Sequence, residues 1–326
     1  MAQPATIEVA QPTRPRLQLV DLWRGAALLA MVVYHFAWDL SYYELIAADL
    51  TTHPFWVTLQ RSILSSFLLL VGIGLVLAHR NGVRWPSFWR RFAAIAAAAL
   101  AVTAGTFWMF PDYFVYFGIL HAIALFSLLA LPFLRLRPVL VLAAAAAFML
   151  PPLLWSSPDF AARPLAWIGL WSVLPETTDI VPVLPWFGVV LIGVAGARMA
   201  LATPLAARLA QWRPPGPLSR LLIGAGRKSL LVYLVHQPLL LGALALYLQL
   251  APTALQPEVL SRRQTFVRSC EATCAADHAA AYCTSYCGCA LEQVEAADLW
   301  ALLDRPGPER DAALAPLATL CSAMAE

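Results

Sequence analysis

Hydrophobic residues fill most of residues 20–40, a stretch long enough to cross a bilayer as one helix. Positions 21, 25, 28, 32, 35 and 39 follow one another at steps of three and four, and such steps stay on one face of a 3.6-residue helix. That face holds Asp21, Gly25, Leu28, Val32, His35 and Asp39. Because an ionisable group facing lipid at mid-helix costs ~3 kcal/mol, we expect this face to point into a helix bundle or a wet cavity.

The polar face of this helix has two interpretations. In the first, Asp21 and Arg24 lie one turn apart and pair at the membrane surface, while His35 is an interior histidine whose hydrogen bonds are satisfied. In the second, the face lines a polar cavity that is used for chemistry or transport. Residues 20–40 alone leave both interpretations open.

Six further apolar stretches follow, and each has the length or hydrophobicity expected of a membrane helix. The seven predicted spans are about residues 20–40, 57–78, 92–110, 114–133, 139–155, 184–201 and 229–250. The apolar part of residues 156–183 is too short to cross and is bounded by prolines, so this segment is predicted to be interfacial or re-entrant. The pattern predicts an all-α, polytopic transmembrane helix bundle of about seven spans.

Composition agrees with this fold class. Hydrophobic residues make up 60% of the chain, charged residues make up 13%, and the mean hydropathy is +0.69. A soluble domain has about 25% charged residues, so the predicted surroundings are a lipid bilayer. The net charge of +3 does not indicate a nucleic-acid partner, because the basic residues lie mostly in loops and report topology.

The loop charges predict the orientation of the bundle. One side carries most of the basic loop residues, namely Arg14, Arg16, Arg80, Arg84, Arg90, Arg91, Arg135, Arg137, Arg208, Arg213, Arg220, Arg227 and Lys228. The positive-inside rule places that side, and with it the N-terminus, in the cytoplasm. Residues 1–18 are then a disordered cytoplasmic tail, residues 19–251 a domain in the inner membrane, and residues 252–326 an extracytoplasmic tail.

All six cysteines follow the last predicted span, at Cys270, Cys274, Cys283, Cys287, Cys289 and Cys321. An even cluster in a short polar segment predicts a disulfide framework in an oxidising compartment, which agrees with a tail outside the cell membrane. Two of the spacings put pairs of sulfurs on one helix face. The simplest pairing of two short antiparallel helices joins Cys274 to Cys283 and Cys270 to Cys287, and leaves Cys289 for Cys321.

The tail has a second interpretation, a zinc site that includes His278. Zinc modules favour C-x-x-C spacing and reduced thiols, and the spacings here have three intervening residues. We therefore expect no metal, and we expect the tail to be a small helical cap that its disulfides hold together, without a catalytic role of its own.

Four histidines belong to the predicted membrane part or its outer rim: His35, His53, His121 and His236. The predicted topology places the first three toward the outer side and His236 in the inner half of the last span. A lone histidine in a membrane is more often an interhelical hydrogen-bond partner than a catalyst. Several together, with Asp39 near one of them, favour a site that handles protons.

Four blocks of sequence resemble one family of membrane enzymes. The blocks are D-L-W-R-G at 21–25 with Y-H-F at 34–36, F-G-I-L-H-A-I-A at 117–124, L-P-W-F-G-V at 184–189 and G-R-K-S-L-L-V-Y-L-V-H-Q-P at 226–238. In their order and spacing they resemble the membrane acyltransferases related to heparan-alpha-glucosaminide N-acetyltransferase. The resemblance covers about residues 17–250.

The resemblance implies that an acetyl group passes from cytoplasmic acetyl-CoA to an extracytoplasmic acceptor, a sugar or glycan. It implies a catalytic histidine in the first outer loop, a position that His53 fits, and His35 in the more recognisable block is its rival. Either would act as a general base or form a transient acyl-imidazole, with Asp39 orienting it. Expected to line the substrate cavity are Asp21, Arg24, His121, Tyr233 and His236.

The cytoplasmic mouth also offers basic residues that suit the phosphates of CoA, because guanidinium forks match phosphate oxygens. These candidates are Arg80, Arg84, Arg227 and Lys228. The positive-inside rule alone also accounts for basic residues in this place. No glycine-rich phosphate loop follows a predicted strand, which disfavours nucleotide hydrolysis and hydride transfer.

The leading prediction is an integral inner-membrane, acyl-CoA-dependent N- or O-acetyltransferase, with a homo-oligomer as a further possibility. A transporter or flippase would use the same polar cavity, and broken helices repeated between two halves would favour it. A membrane anchor with a partner-binding, cysteine-rich tail is the third class. Loss of activity on deletion of the tail, with no loss on substitution of the histidines, would favour the anchor.

Overall fold

A computed structural model describes residues 17–43, 45–46, 48–214, 216–250, 257–303 and 307–325, and the chain is mostly helical there. The α-helices are α1 (Gln18–Tyr42), α2 (Pro54–Ala78), α3 (Trp85–Met109), α4 (Ile119–Leu129), α5 (Pro138–Met149), α6 (Pro151–Leu154), α7 (Arg163–Ala166), α8 (Val183–Leu201), α9 (Leu205–Gln211), α10 (Pro217–Arg227), α11 (Ser229–Leu250), α12 (Pro257–Cys274), α13 (Ala280–Ala296), α14 (Trp300–Leu303) and α15 (Pro308–Ala325). Short 3-10 helices occupy Pro132–Arg135 and Pro158–Ala161. Of the predicted disordered tail, residues 1–18, the part up to residue 16 lies outside the described residues.

Five of these helices are long and apolar enough to cross a membrane: α1, α2, α3, α8 and α11. Two shorter apolar helices accompany them, at Ile119–Leu129 and Pro138–Leu154. The prediction of an all-α, multi-pass membrane fold is therefore confirmed. The count of about seven spans and the inward N-terminus stay predictions.

The fourth predicted span is shorter than the sequence analysis expected. Its helix α4 has 11 residues, and at 1.5 Å per residue it extends about 16 Å, roughly half the hydrocarbon thickness of a bilayer. Residues 114–118 are not helical, because Phe117 pairs in parallel with Ile180 and its carbonyl oxygen accepts the N–H of Val181 at 3.0 Å. Hydropathy alone cannot separate these apolar residues from the helix that follows them.

The segment 156–183, predicted to be interfacial or re-entrant, forms only short helices before α8 begins. It lies against the loop between α3 and α4. The N–H of Thr178 donates to the carbonyl oxygen of Tyr113 at 2.9 Å, and the hydroxyl of Thr177 donates to that of Phe114 at 2.8 Å. These bonds satisfy backbone groups of both segments, so neither segment needs a longer helix.

Asp179, in the same segment, determines where α4 begins. Its Oδ2 accepts the N–H of Ile119 at 3.1 Å, across 60 positions of sequence, and thereby caps one of the unpaired N–H groups at the helix start. Gly118 makes this approach possible, because a Cβ there would overlap the Asp179 carboxylate and the side chain of Val115. The glycine and the aspartate together fix the end of α4 that precedes His121.

The described residues form two compact units. The first holds those of Met1–Phe36 and Asp49–Leu239, and the second holds those of Ala37–Ala48 and Leu240–Glu326. The core of the first unit lies where α2, α4, α5 and α8 meet. At its centre Phe187 is 1% exposed, and the ring centroids of Phe148 and Phe126 lie 4.8 Å and 5.4 Å from its own.

Helices α2 and α8 approach with their backbones in contact. A Cβ at Gly72 would overlap the carbonyl oxygen of Val190, and a Cβ at Gly193 would overlap that of Leu69. Small residues allow this close packing where a bilayer provides no hydrophobic drive for helices to associate. The pair forms a rigid frame for the shorter helices α4 and α5.

The second unit contains the cysteine-rich tail, in which α13 packs against both α12 and α15. Three disulfides join these helices: Cys270–Cys287, Cys274–Cys283 and Cys289–Cys321. The predicted pairing is therefore confirmed at all three bridges. Cysteines form most of the buried core of the tail, namely Cys283, Cys287, Cys289 and Cys321 together with Val294. So small a helical segment gains little from apolar burial alone and depends on its disulfides.

Candidate active site

A buried carboxylate organises one end of the first unit. Asp21 is 2% exposed, its Oδ1 accepts a hydrogen bond from Nη1 of Arg24 at 3.2 Å, and its Oδ2 accepts one from Nε of Arg227 at 3.3 Å. The predicted pairing of Asp21 with Arg24 is found. One acid thus holds two guanidinium groups, one from α1 and one from the end of α10.

The backbones of α1 and α10 touch beside this ion-pair network. A Cβ at Gly25 would overlap the carbonyl oxygen of Leu222, and a Cβ at Gly226 would overlap that of Asp21. The two glycines therefore face each other across the contact. This packing brings the D-L-W-R-G block and the G-R-K-S block together, although they lie near opposite ends of the membrane domain in sequence.

A cavity of about 190 Å³ opens next to the network, among α1, α2, α3, α4 and α11. Apolar side chains form most of its wall. Four residues give it polar character: Arg24, Arg91, Ser229 and Tyr233. Of the residues predicted to line the substrate cavity, Arg24 and Tyr233 are found in this wall.

The cavity carries an excess of positive charge. Arg91 lies in the second turn of α3, close enough to Arg24 for the two positive charges to repel each other. No carboxylate pairs with Arg91 among the residues that the structure describes. The nearby acid Asp21 is already shared between Arg24 and Arg227. A site with more guanidinium than carboxylate groups suits an anionic ligand.

The sequence analysis missed Arg91 as a cavity residue, because it assigned this arginine to a basic loop. Helix α3 begins at Trp85, with Pro86 in its first turn, so Arg91 lies inside the helix. Proline is favoured at the first helical position because its fixed φ suits the helix and its missing N–H is not needed there. Pro86 was the signal that the helix begins earlier than the hydrophobic run.

Two intramembrane histidines lie side by side beyond the cavity. The ring centroids of His35 on α1 and His236 on α11 are 5.0 Å apart. Tyr233 connects them to the cavity, because it lines the cavity wall and its ring centroid lies 5.7 Å from that of His236. Tyr233 thus shares the cavity wall with the two arginines and also contacts the histidine pair through His236.

The hydrogen bond of His236 determines which of its nitrogens can act as a base. Nδ1 lies 2.6 Å from the carbonyl oxygen of Tyr233, and a carbonyl oxygen only accepts, so Nδ1 carries the proton. Nε2 is buried and has no hydrogen-bond partner in the described part of the chain. In the neutral ring Nε2 therefore keeps a lone pair to which no described residue donates a hydrogen bond.

A comparison with protein families identifies the family of the chain. The family model described as heparan-alpha-glucosaminide N-acetyltransferase, catalytic, matches residues 16–238. The chain belongs to this family. It is thus a membrane acetyltransferase by family, and the predicted resemblance is confirmed. No curated protein and no solved structure matches the chain.

The family match includes the cavity arginines, Tyr233 and the histidine pair, and it ends before the cysteine-rich tail. The pairing of the two histidines differs from the arrangement that the sequence analysis predicted. There His35 was grouped with His53 and His121 near the outer side, and His236 was placed apart from them. The structure brings His35 and His236 together because α1 and α11 pack side by side at this level.

His53, the first catalytic candidate, is exposed and caps α2. Its Nδ1 accepts the N–H of Phe55 at 3.3 Å. Because Nδ1 accepts this bond, the proton of the neutral ring is on Nε2. The lone pair of Nδ1, which a base at that nitrogen would need, is therefore already used by the helix cap. The family assignment does not by itself distinguish His53 from His35 as the catalytic histidine.

His121 holds α4 against α3. Its Nε2 lies 3.1 Å from Oγ1 of Thr103, and the hydroxyl of Thr103 donates to the carbonyl oxygen of Val115 at 2.7 Å. The Thr103 oxygen therefore accepts the Nε2 proton. His121 is not part of the 190 Å³ cavity wall, where its neighbours Leu120 and Ile119 are found instead.

The remaining predicted site residues lie in separate places. Arg80, Arg84 and Lys228 are exposed and do not line the cavity, whereas Arg227 contacts Asp21. Asp39 is fully buried on α1 and belongs to the second compact unit. Asp179, which the sequence analysis treated only as a loop acid, acts electrostatically on Tyr233 and so belongs to the surroundings of the cavity.

Proposed function

We propose that this membrane acetyltransferase takes the acetyl group from acetyl-CoA on the cytoplasmic side and transfers it to a sugar or glycan on the outer side. The observation that carries the proposal is a cavity lined by Arg24, Arg91 and Tyr233, with Tyr233 in ring contact with His236 and His236 in ring contact with His35. The arginine end of this arrangement suits phosphate, and the histidine end suits proton transfer.

The arginine end is suited to the phosphates of CoA. Arg24 and Arg91 face one cavity, and Asp21 offers only one negative charge to the local guanidinium groups. Arginine binds phosphate oxygens through paired N–H groups. Drug-sized ligands occupy about 300–1,000 Å³, so a 190 Å³ cavity admits only part of CoA, and the nucleotide end stays at the mouth, near the half-exposed Arg227.

The histidine end is suited to acyl transfer. In a direct route, Nε2 of His236 takes the proton of the acceptor amine or hydroxyl, the acceptor attacks the thioester carbon, and the thiolate of CoA leaves and receives the proton from the imidazolium. In a two-step route, one histidine attacks the thioester carbon and expels the thiolate of CoA, which leaves an acyl-imidazole. The acceptor then attacks this acyl carbon, the imidazole leaves, and the acceptor proton passes to the released base. His35, 5.0 Å away, is the second imidazole for either route.

The orientation belongs to the same proposal. The basic loops place the N-terminus and the arginine end in the cytoplasm by the positive-inside rule. The three disulfides of the tail form and persist in an oxidising compartment such as a periplasm. We place the protein in the inner membrane with its tail outside.

The test uses purified full-length protein and acetyl-CoA carrying a radiolabelled acetyl group. We compare the wild type with His35→Ala, His236→Ala and His53→Ala, and use His79→Ala as the control, since His79 lies at the opposite end of α2 from His53. Loss of CoA release in the His35 or His236 variant, with activity kept in the His53 and His79 variants, supports the histidine pair.

Two other outcomes decide against parts of the proposal. Loss of activity in the His53 variant alone would place the chemistry in the first outer loop, as the resemblance first implied. No CoA release from the wild type, with or without an envelope extract as the source of acceptor, would contradict the acetyl-CoA donor and favour a transporter. Label that stays on the protein and disappears in one variant would identify the acyl-histidine route.

A further inference from the structure

The C-terminal unit contains an open groove that the family match does not reach, because the match ends at residue 238. The groove has a volume of about 810 Å³ and lies over α13, between α12 and α15. All of its lining residues belong to the disulfide-linked tail. Its volume is within the range of about 300–1,000 Å³ that small-molecule sites occupy.

The wall on α12 is polar. Arg262, Thr265, Ser269 and Thr273 recur at steps of three and four, and Asp277 follows one turn later, so all five line the groove from one side. Neither Arg262 nor Asp277 forms an ion pair with another described residue. The hydroxyl of Thr273 donates to the carbonyl oxygen of Ser269 at 3.0 Å. The wall thus offers the hydroxyl groups of Thr265 and Ser269 as donors, beside the ring of Phe266, with one positive and one negative charge at its two ends.

The floor of the groove is a row of aromatic rings. His278 stacks on Tyr282 with ring centroids 4.4 Å apart, and Tyr282 stacks on Tyr286 with centroids 6.0 Å apart and planes within 10°. At the far end the guanidinium of Arg262 lies 5.7 Å above the ring of Trp300. Aromatic rings provide a rigid apolar surface against which the C–H groups of a ligand can pack.

The opposite wall is apolar. It consists of Leu314, Leu317 and Ala318 on α15, with Ser322 as its one polar residue. The ligand that fits must therefore bring hydrogen-bonding groups to one side and C–H surface to the floor and the other side.

We propose that this groove binds an uncharged oligosaccharide chain. A sugar ring carries hydroxyl groups around its edge and C–H groups on its faces, and both surfaces find partners here. An acyl chain would remove the hydroxyls and charges of the α12 wall from water without replacing their hydrogen bonds. An acidic or basic peptide would find no net charge to select it, because Arg262 and Asp277 balance.

The disulfides make the groove rigid, which favours weak ligands. Cys270 and Cys274 lie in its wall and are bridged to Cys287 and Cys283 on α13. Walls that are already fixed do not lose conformational freedom on binding, so more of the contact energy appears as affinity. The groove's role as a holder of the acceptor chain rests on the proposed function, whereas sugar binding itself does not.

The experiment titrates the purified full-length protein in detergent with tetrasaccharides of glucose, galactose and N-acetylglucosamine, without acetyl-CoA, and follows heat release. We expect at least one of these probes to bind. The double variant Tyr282→Ala/Tyr286→Ala should weaken its binding about tenfold or more, since it removes two aromatic contacts. Thr284→Ala is the matched control, because Thr284 is on the same helix and does not line the groove.

Folding of each variant is checked by the shift in gel mobility on reduction, which reports intact disulfides. If the double variant does not accumulate, Ser269→Leu fills the groove from an exposed position and should weaken binding while the tail stays folded. Failure of all three tetrasaccharides to bind the wild type overturns the inference, and so does equal weakening by Thr284→Ala. Binding of laurate in place of sugars would assign the groove to an acyl chain instead. Because no acetyl-CoA is present, these outcomes are independent of the proposed catalysis.

Discussion

Asp21 and Arg227 are 206 positions apart in the sequence, yet the Asp21 Oδ2 and the Arg227 Nε lie 3.3 Å apart. The same carboxylate accepts a hydrogen bond from Arg24 at 3.2 Å and is 2% exposed. This single acid therefore connects the first helix to the end of α10, directly beside the cavity that holds Arg24 and Arg91.

Removing the Asp21 charge should destabilise the first unit. Asp21→Asn keeps the size of the side chain but leaves two guanidinium groups without their shared partner. Arg227 is partly exposed, so water screens its charge once the Asp21 carboxylate is removed. We therefore expect the free energy of unfolding to fall by about 1–3 kcal/mol. The measurement is the midpoint of thermal unfolding in detergent, which should be lower. Asp112→Asn, an exposed acid of the same unit, should leave the midpoint unchanged, and an equal drop in both variants would contradict the network.

The contact between α1 and α10 can be tested with two glycines on one helix. Gly226→Ala places a methyl group against the Asp21 carbonyl oxygen, whereas an added Cβ at Gly224 meets nothing within 4 Å. We expect Gly226→Ala to cost about 1–3 kcal/mol of unfolding free energy through overpacking. Gly224→Ala should be neutral or stabilising by up to about 1 kcal/mol, because alanine favours the helix. The same thermal melts decide, and a Gly226 variant as stable as the Gly224 variant would show that the backbones do not touch.

The arginine end of the cavity predicts that KM and kcat respond differently to substitution. If Arg91 binds a phosphate of CoA, Arg91→Gln should raise KM for acetyl-CoA about tenfold to a hundredfold, since a charge-assisted hydrogen bond contributes about 1.5–3 kcal/mol. kcat should change much less, because Arg91 lines the cavity whereas the two histidines lie outside its wall. Arg90→Gln is the neighbouring control, as Arg90 is exposed on α3 and does not line the cavity. Equal KM values in the two variants would remove Arg91 from the site.

Asp179 predicts a stability that depends on pH. Burial raises the pKa of the Asp179 carboxyl, and the N–H of Ile119 opposes this only in part. A carboxyl whose pKa is higher in the folded state favours folding while it is protonated, and this contribution is lost as the pH rises from the unfolded pKa through the folded one. Asp179→Asn, which keeps an acceptor for Ile119, should therefore be more stable than the wild type near pH 7.

The difference between Asp179→Asn and the wild type should shrink as the pH falls toward 4, near the ordinary pKa of a free aspartate at about 3.9. Thermal melts across this range measure it. The exposed Asp159 provides the control substitution, Asp159→Asn, for which no such pH-dependent gain is expected. A gain that is the same at every pH would show that the charge of Asp179 is not responsible.

The parts of this structure that depend on local spacing were predictable from the sequence. The disulfide pairing followed from cysteines four positions apart on two helices, which leaves few geometric choices. The membrane helices followed from hydropathy, but their starts did not: α2 and α3 begin at Pro54 and Trp85, earlier than the apolar runs at 57 and 92. The first-turn prolines determine these starts, and hydropathy does not register them.

Contacts between distant helices were not predictable in the same way. The sequence shows how many residues separate His236 from the start of its own helix. It does not show how far α11 is shifted along its axis relative to α1. Only the packing places the His236 ring 5.0 Å from that of His35. Similarly, no local pattern shows that Asp179 caps a helix 60 positions earlier.

The three bridges of the tail use all six cysteines of the sequence. The folded chain consequently presents no thiol to alkylating reagents, and its membrane domain contains no cysteine that would first have to be replaced. One cysteine introduced at an exposed position such as Arg80 or Asp112 would be a unique reactive group in the otherwise native protein. Membrane-impermeant maleimides could then report, one loop at a time, which side of the bilayer each end of every helix faces.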